Sequence, residues 1–178
     1  GLDYTAVPLT TLTFGSQGTT PTTQTVAVTI LEDLLDEAAE TFTVALSNPT
    51  AATLGSASSG TGTITDNDGA PVVSVAVTPV SGNEDDEAAA TRTFTVSLST
   101  ASGQTSSVAY VVSGTATAGA DYQTASPLAG TLTFNPGELS KTVVVTVTGE
   151  GVYELDETIT LTLSTPSQLT LGTASATA

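Results

Sequence analysis

At 178 residues the chain has room for one or two small domains, and its 39% apolar content supplies a core of Val, Leu, Ile and Ala although aromatics are scarce. It contains no Cys and no His, which excludes disulfides, thiolate and imidazole metal sites, and Ser-His-Asp or Cys-His catalysis. Eighteen acidic residues against Arg92 and Lys141 give a net charge of −16, which argues against nucleic acid or an anionic membrane surface as partner and in favour of cations.

Six runs alternate Thr or Ser with apolar residues. In chain order they are TQTVAVTI (residues 23–30), ETFTVALS (40–47), VVSVAVT (72–78), TRTFTVSLS (91–99), KTVVVTVT (141–148) and ETITLTLS (157–164). A period of two is the mark of a half-buried strand, and Thr and Val suit a pleated surface. Turn residues punctuate the runs, among them Asn48-Pro49, Gly69, Pro71, Gly103, Gly114, Gly119, Asn135-Pro136-Gly137 and Gly172. The pattern predicts an all-β chain built from antiparallel β-sandwiches. The acidic stretch EDLLDEAAE (32–40), bracketed by strands, is expected to be a loop or a single turn. Phe14, Phe42, Phe94 and Phe134 alternate with Thr and are expected in the core, with Tyr4 and Tyr122 as core anchors. No apolar run approaches the roughly 20 residues of a membrane helix, so no membrane insertion is expected, and any export signal is expected to lie outside these residues.

The chain repeats itself. GLDY at Gly1 returns as GADY at Gly119, and TLTF at Thr11 returns at Thr131. TVAVTI at Thr25 matches TVVVTV at Thr142, and ETFTVALSNPTAATLGSAS at Glu40 matches ETITLTLSTPSQLTLGTAS at Glu157. The period is about 117 residues, which reads as a window on an array. The expected division is the C-terminal part of a first unit (1–68), a linker (69–71) and a second unit (72–178) lacking its last strand, because LGTASATA stops where a second GTITDND (62–68) would come. Either the natural protein continues in both directions or a neighbouring chain supplies the missing strands.

The order GxDY, GTLTF, TVxVTV, DET with LTLS, LG and finally TDND resembles the Calx-beta domain. The resemblance covers nearly the whole chain and implies an immunoglobulin-like seven-stranded sandwich. In family members that bind calcium, acidic ligands cluster in loops at one end. Carried over position by position, it implies ligands Glu84, Asp121, Glu150, Glu154 and Glu157 in the second unit, with the carbonyl of Val152. In the first unit it implies Asp3, Asp33, Glu37, Glu40, Asp66 and Asp68, with the carbonyl of Leu35. Two departures lower the expected number or strength of ions. Glu150 stands where strong binders carry consecutive aspartates, and Ala39 stands where the second unit has Asp156.

Elementary chemistry points the same way. Calcium takes six to eight hard oxygens, and converging carboxylates repel unless a cation joins them. The bland alternative is that these are solvated loop acids. The expected cofactor is therefore Ca2+, and the expected partners are calcium ions and neighbouring repeats of the same or identical chains. No catalytic residue set stands out. Two carboxylates alone are a weak case for glycoside hydrolysis without an aromatic platform. The function expected is an extracellular or cell-surface spacer stiffened by calcium, in an adhesin or matrix protein. The alternative is a filament subunit completed by strand addition from its neighbours.

Overall fold

The computed structural model describes residues 3–15, 22–81, 90–149 and 154–178. Its described residues are strands and loops with no helix, so the acidic stretch at 32–40 is a loop as expected. The chain clusters into two compact units, Gly1–Leu34 with Ala39–Asp66, and Leu35–Ala38 with Asn67–Ala178.

In the first unit, strands β1 (Glu40–Ala45) and β2 (Ser59–Ile64) form an antiparallel ladder running from Glu40↔Ile64 to Ala45↔Ser59. Phe42, Val44, Gly62 and Ile64 share one half-buried face. The Phe42 ring lies directly over Gly62, where a Cβ would collide with it, so the ladder needs a glycine at this point. Tyr4 stacks on Phe42 at a centroid distance of 5.3 Å and bridges Ile30. Thr5 N–H donates to Thr29 O and Leu31 N–H donates to Asp3 O, each at 2.9 Å.

Two sequence expectations need correction here. The run at 23–30 forms no regular strand; only Ile30 makes a bridge. Phe14 is 54% exposed and is not core. The physical reason is the same for both. An alternating strand is stable only when its edges and its apolar face find partners. Among the described residues no first-unit strand runs alongside either segment, whereas Ala90–Leu98 and Ser106–Gly114 pair with the matching segments of the second unit.

The second unit contains β3 (Val72–Thr78), β4 (Ala90–Leu98), β5 (Ser106–Gly114), β6 (Tyr122–Thr124), β7 (Ala129–Phe134), β8 (Ser140–Val147), β9 (Ile159–Ser167), β10 (Thr170–Leu171) and β11 (Ser175–Thr177). They form two sheets, ordered β10-β3-β4-β8-β6 and β11-β9-β5-β7. Every pairing is antiparallel except β10 with β3. The inward residues interleave in one core: Val73, Val75 and Val77 of β3, Phe94 and Val96 of β4, and Val143 and Val145 of β8 from one sheet meet Val108 and Val112 of β5 and Leu161 and Leu163 of β9 from the other. Each such side chain contributes about 1.5–3 kcal/mol by leaving water. This is an immunoglobulin-like β-sandwich, and period-two patterning dictates which residues face inward.

Tyr122 is buried as a core anchor, as are Phe94 and Phe134, whereas Tyr4 is 38% exposed. β5 and β7 were not among the six alternating runs. At the other end of the chain, Ser175–Thr177 pairs with β9, and Ala178 and Ile159 exchange both backbone hydrogen bonds at 2.9 Å. The residues SAT within LGTASATA thus add a short strand beside β9 in the second sheet.

Candidate metal centre

β6 begins at one end of the sandwich, immediately after Asp121. A tight turn sets this residue. Thr117 N–H donates to Asp121 Oδ2 at 2.5 Å, Asp121 N–H returns to Thr117 O at 3.0 Å, and Gly119 N–H donates to Tyr122 O at 2.8 Å. Thr148, just past the end of β8, donates its N–H to Asp121 O at 2.8 Å. Buried Tyr122 fixes the next residue, so Asp121 is 91% shielded from solvent yet lies at the sandwich rim.

The segment before β9 brings Glu154 and Glu157 to the same rim. Thr158 pins it: Thr158 N–H donates to Thr115 Oγ1 at 2.8 Å, Thr115 N–H donates to Thr158 Oγ1 at 3.3 Å, and Ala116 N–H donates to Thr158 O at 3.2 Å. Gly114 makes the approach possible. Its φ is +148°, and a Cβ there would run into the Thr158 carbonyl.

The result is that one carboxylate oxygen from each of Asp121, Glu154 and Glu157 lies within 4.8 Å of the others. At that separation each pair of charges repels by about 1 kcal/mol in water and about 3–4 kcal/mol at an effective dielectric of about 20. Lys141 offers no relief. It pairs with Glu138 at 2.7 Å at the start of β8, while Asp121 is bonded just past that strand's other end. Along an eight-residue strand that is on the order of 25 Å. Glu138 in turn has its carboxyl held below the ordinary carboxylate range, chiefly by the hydrogen bond from Lys141 and then by the Asn135 N–H. Three hard oxygens converging from two loops, one of them buried and oriented by backbone donors, form a donor set that fits a hard divalent cation. Backbone carbonyls and water complete such a shell.

Not every expected ligand belongs to this arrangement. In the first unit, Asp3 and Asp33 bring carboxylate oxygens within 4.8 Å of each other. Asp3 is held through its own carbonyl by Leu31. Glu37 falls in Leu35–Ala38, the segment that clusters with the second unit, where its Cγ packs over Gly103. Asp36, which the sequence reading passed over, holds that segment. Its carbonyl accepts from Gly103 N–H at 3.1 Å and Ser102 Oγ at 3.3 Å, and its Oδ2 accepts from Gln104 Nε2 at 3.4 Å. Glu40 opens β1 opposite Ile64. Asp66 and Asp68 follow β2 half-buried, and among the described residues neither joins a group of three acids around one point. Glu84, Glu150 and the carbonyl of Val152 lie outside the described residues. The backbone donor of Thr117 and the Thr115–Thr158 staple were not read from the sequence. Threonine is too frequent in this chain for either position to stand out.

A sandwich with an acidic rim, present as a partial and a fuller copy, defines the class: a tandem cation-binding β-module. The sequence profile of the Calx-beta domain matches residues 1–68 and again residues 66–178. The chain therefore belongs to the Calx-beta family, whose metal-binding members take calcium, and spans two of its domains. Among solved structures it is similar to the apo form of the Calx CBD1 domain, with 24% identity over 59% of this chain and 92% of that one and a TM-score of 0.43. It is also similar to CBD12 from CALX1.2, with 18% identity over 84% of this chain and 70% of that one and a TM-score of 0.45. No curated protein matches it. Membership of the family rests on the profile matches.

Proposed function

We propose that this chain is a calcium-binding structural module, a stretch of tandem sandwiches that acts as a spacer in an extracellular or cell-surface protein of the adhesin or matrix kind. The observation that carries the calcium reading is the convergence of Asp121, Glu154 and Glu157 on one point of the rim. A divalent ion there replaces repulsion with shared coordination and ties the turn before β6 to the segment before β9. The spacer role is supported by the repeat of about 117 residues and by a chain with neither His nor Cys to serve catalysis. Its role is binding and mechanical.

The test is thermal melting of the chain in chelator and in calcium. An ion at a hundred times its dissociation constant stabilises the folded state by about 2.7 kcal/mol, which for a unit of this size is a rise of roughly 10 °C. Equal melting temperatures in chelator and in millimolar calcium would overturn the calcium reading.

A further inference from the structure

We propose that the turn Ser102-Gly103-Gln104 is a recognition site for an extended segment that carries a carboxylate, and that residues 35–38 fill it through Asp36. Calcium has no part in the contact. The turn joins β4 to β5 at the end of the sandwich remote from the acidic rim, since β4 runs from beside Val147 to Leu98. Its own bonds hold it in shape. Gly137 N–H donates to Ser102 O at 3.0 Å, Gln104 N–H donates to Ser102 Oγ at 3.0 Å, and Gln168 Nε2 donates to Gln104 Oε1 at 2.8 Å. Ser102 is only 3% exposed.

Leu35–Ala38 clusters with this unit. Asp36 forms a parallel bridge with Ser102. Its carbonyl accepts from Gly103 N–H at 3.1 Å and from Ser102 Oγ at 3.3 Å, which fixes the main chain of the segment. Its Oδ2 accepts from Gln104 Nε2 at 3.4 Å and lies 3.5 Å from Ser102 Oγ. Selectivity comes from the side chains of the turn. An amide can present an acceptor or donors. Gln168 already donates to Gln104 Oε1, so Gln104 turns its donors to Asp36. Ser102 Oγ accepts from the Gln104 N–H, so its own proton is left to point at Asp36. A surface that offers donors suits an ionised carboxylate, which only accepts and forms the stronger, charge-assisted bond. A lysine or arginine at position 36 would set donors against donors. The repeat sharpens this. Counting back from the matched Glu40 and Glu157, Tyr153 stands in the place of Asp36. A phenol is neutral and carries its oxygen farther from the main chain, so the turn distinguishes the two copies of one loop.

The experiment is amide hydrogen exchange of the 178-residue chain by NMR, in chelator, as wild type, Asp36→Ala, Asp36→Tyr, Asp36→Asn, Gln104→Ala and the double variant Asp36→Ala with Gln104→Ala. The Gly103 N–H reports the docked segment, because Asp36 O is its acceptor. The Val112 and Leu163 amides, bonded to Leu128 O and Ala174 O, report the sandwich. In Asp36→Ala and in Asp36→Tyr the Gly103 amide should exchange about tenfold faster, the lower end of what a hydrogen bond to a charged group contributes, while Val112 and Leu163 keep their wild-type rates. Gln104→Ala should have the same effect, and the double variant should be no faster than either single one, since both remove one interaction. Asp36→Asn keeps an acceptor and should fall between wild type and Asp36→Ala. An unchanged Gly103 rate in folded Asp36→Ala overturns the proposal. So does a double variant about a hundredfold faster than wild type, which would show Asp36 and Gln104 acting separately. If Asp36→Ala does not fold, the Gly103 rates of Asp36→Asn and Gln104→Ala decide by the same comparison with wild type.

Discussion

Replacing Asp121 by Asn should change the stability of the second unit in opposite directions with and without calcium. The substitution keeps the shape of the side chain and an oxygen to accept from Thr117 N–H, at 2.5 Å in the native turn, but it removes one charge. Asp121 faces two other carboxylates whose oxygens are within 4.8 Å. Each pair repels by about 1 kcal/mol in water, and since Glu154 and Glu157 are exposed the aqueous figure governs. Removing both repulsions gains about 2 kcal/mol. Exchanging a charged acceptor for a neutral one in the Thr117 bond gives back about 1 kcal/mol. The net effect in chelator is a gain of about 1 kcal/mol, a melting temperature higher by roughly 4 °C. In saturating calcium the variant should melt well below wild type, because it has lost a ligand. Differential scanning calorimetry of both proteins under both conditions measures this directly. If Asp121→Asn lowers the melting temperature equally in chelator and in calcium, Asp121 serves only to cap its turn and the reasoning fails.

Two further outcomes follow from the packing and from the ion pair. Phe134→Ala should cost about 3–5 kcal/mol in urea unfolding, because Phe134 is 1% exposed. Phe14→Ala, in the same TLTF motif but 54% exposed, should stay within about 0.5 kcal/mol of wild type. The Lys141–Glu138 pair predicts a pH dependence. Lys141 lowers the Glu138 carboxyl below its reference value of 4.5, so the stabilisation is present above that reference and is lost as the pH falls through the lower native value. The difference in melting temperature between wild type and Lys141→Met should therefore be constant near neutrality and disappear on acidification below about pH 4. A difference that persisted into strong acid would show that Lys141 contributes through packing of its stem.

Much of this architecture was legible in the linear pattern. Alternation of Thr with Val, Leu or Phe located β1, β3, β4, β8 and β9, because a period of two decides which side of a strand is apolar whatever the strand pairs with. β5 and β7 were less visible: SSVAYVVSG breaks its alternation at Val111-Val112, and AGTLTF opens on Ala129-Gly130. The GxDY and DET motifs identified Asp121, Glu154 and Glu157 as ligand candidates, although 36 residues separate Asp121 from Glu157.

By itself the sequence determined the fold class, the repeat, the sign of the charge and the residue types available to a cation, since all of these follow from composition and local periodicity. Tertiary structure alone decided whether a given segment became what its pattern allowed. The same TLTF is core at Phe134 and surface at Phe14, and an equally regular alternation is strand at 140–147 and loop at 23–30. Burial and strand pairing are properties of what lies opposite, and only the second unit brings β4 and β6 to β8 and β5 to β7. The rim follows the same logic. Fifteen further acids lie elsewhere along the chain without telling a reader which three will meet; the Thr117 turn, the Thr115–Thr158 staple and the glycine at 114 bring Asp121, Glu154 and Glu157 together, through hydrogen bonds that no spacing rule encodes.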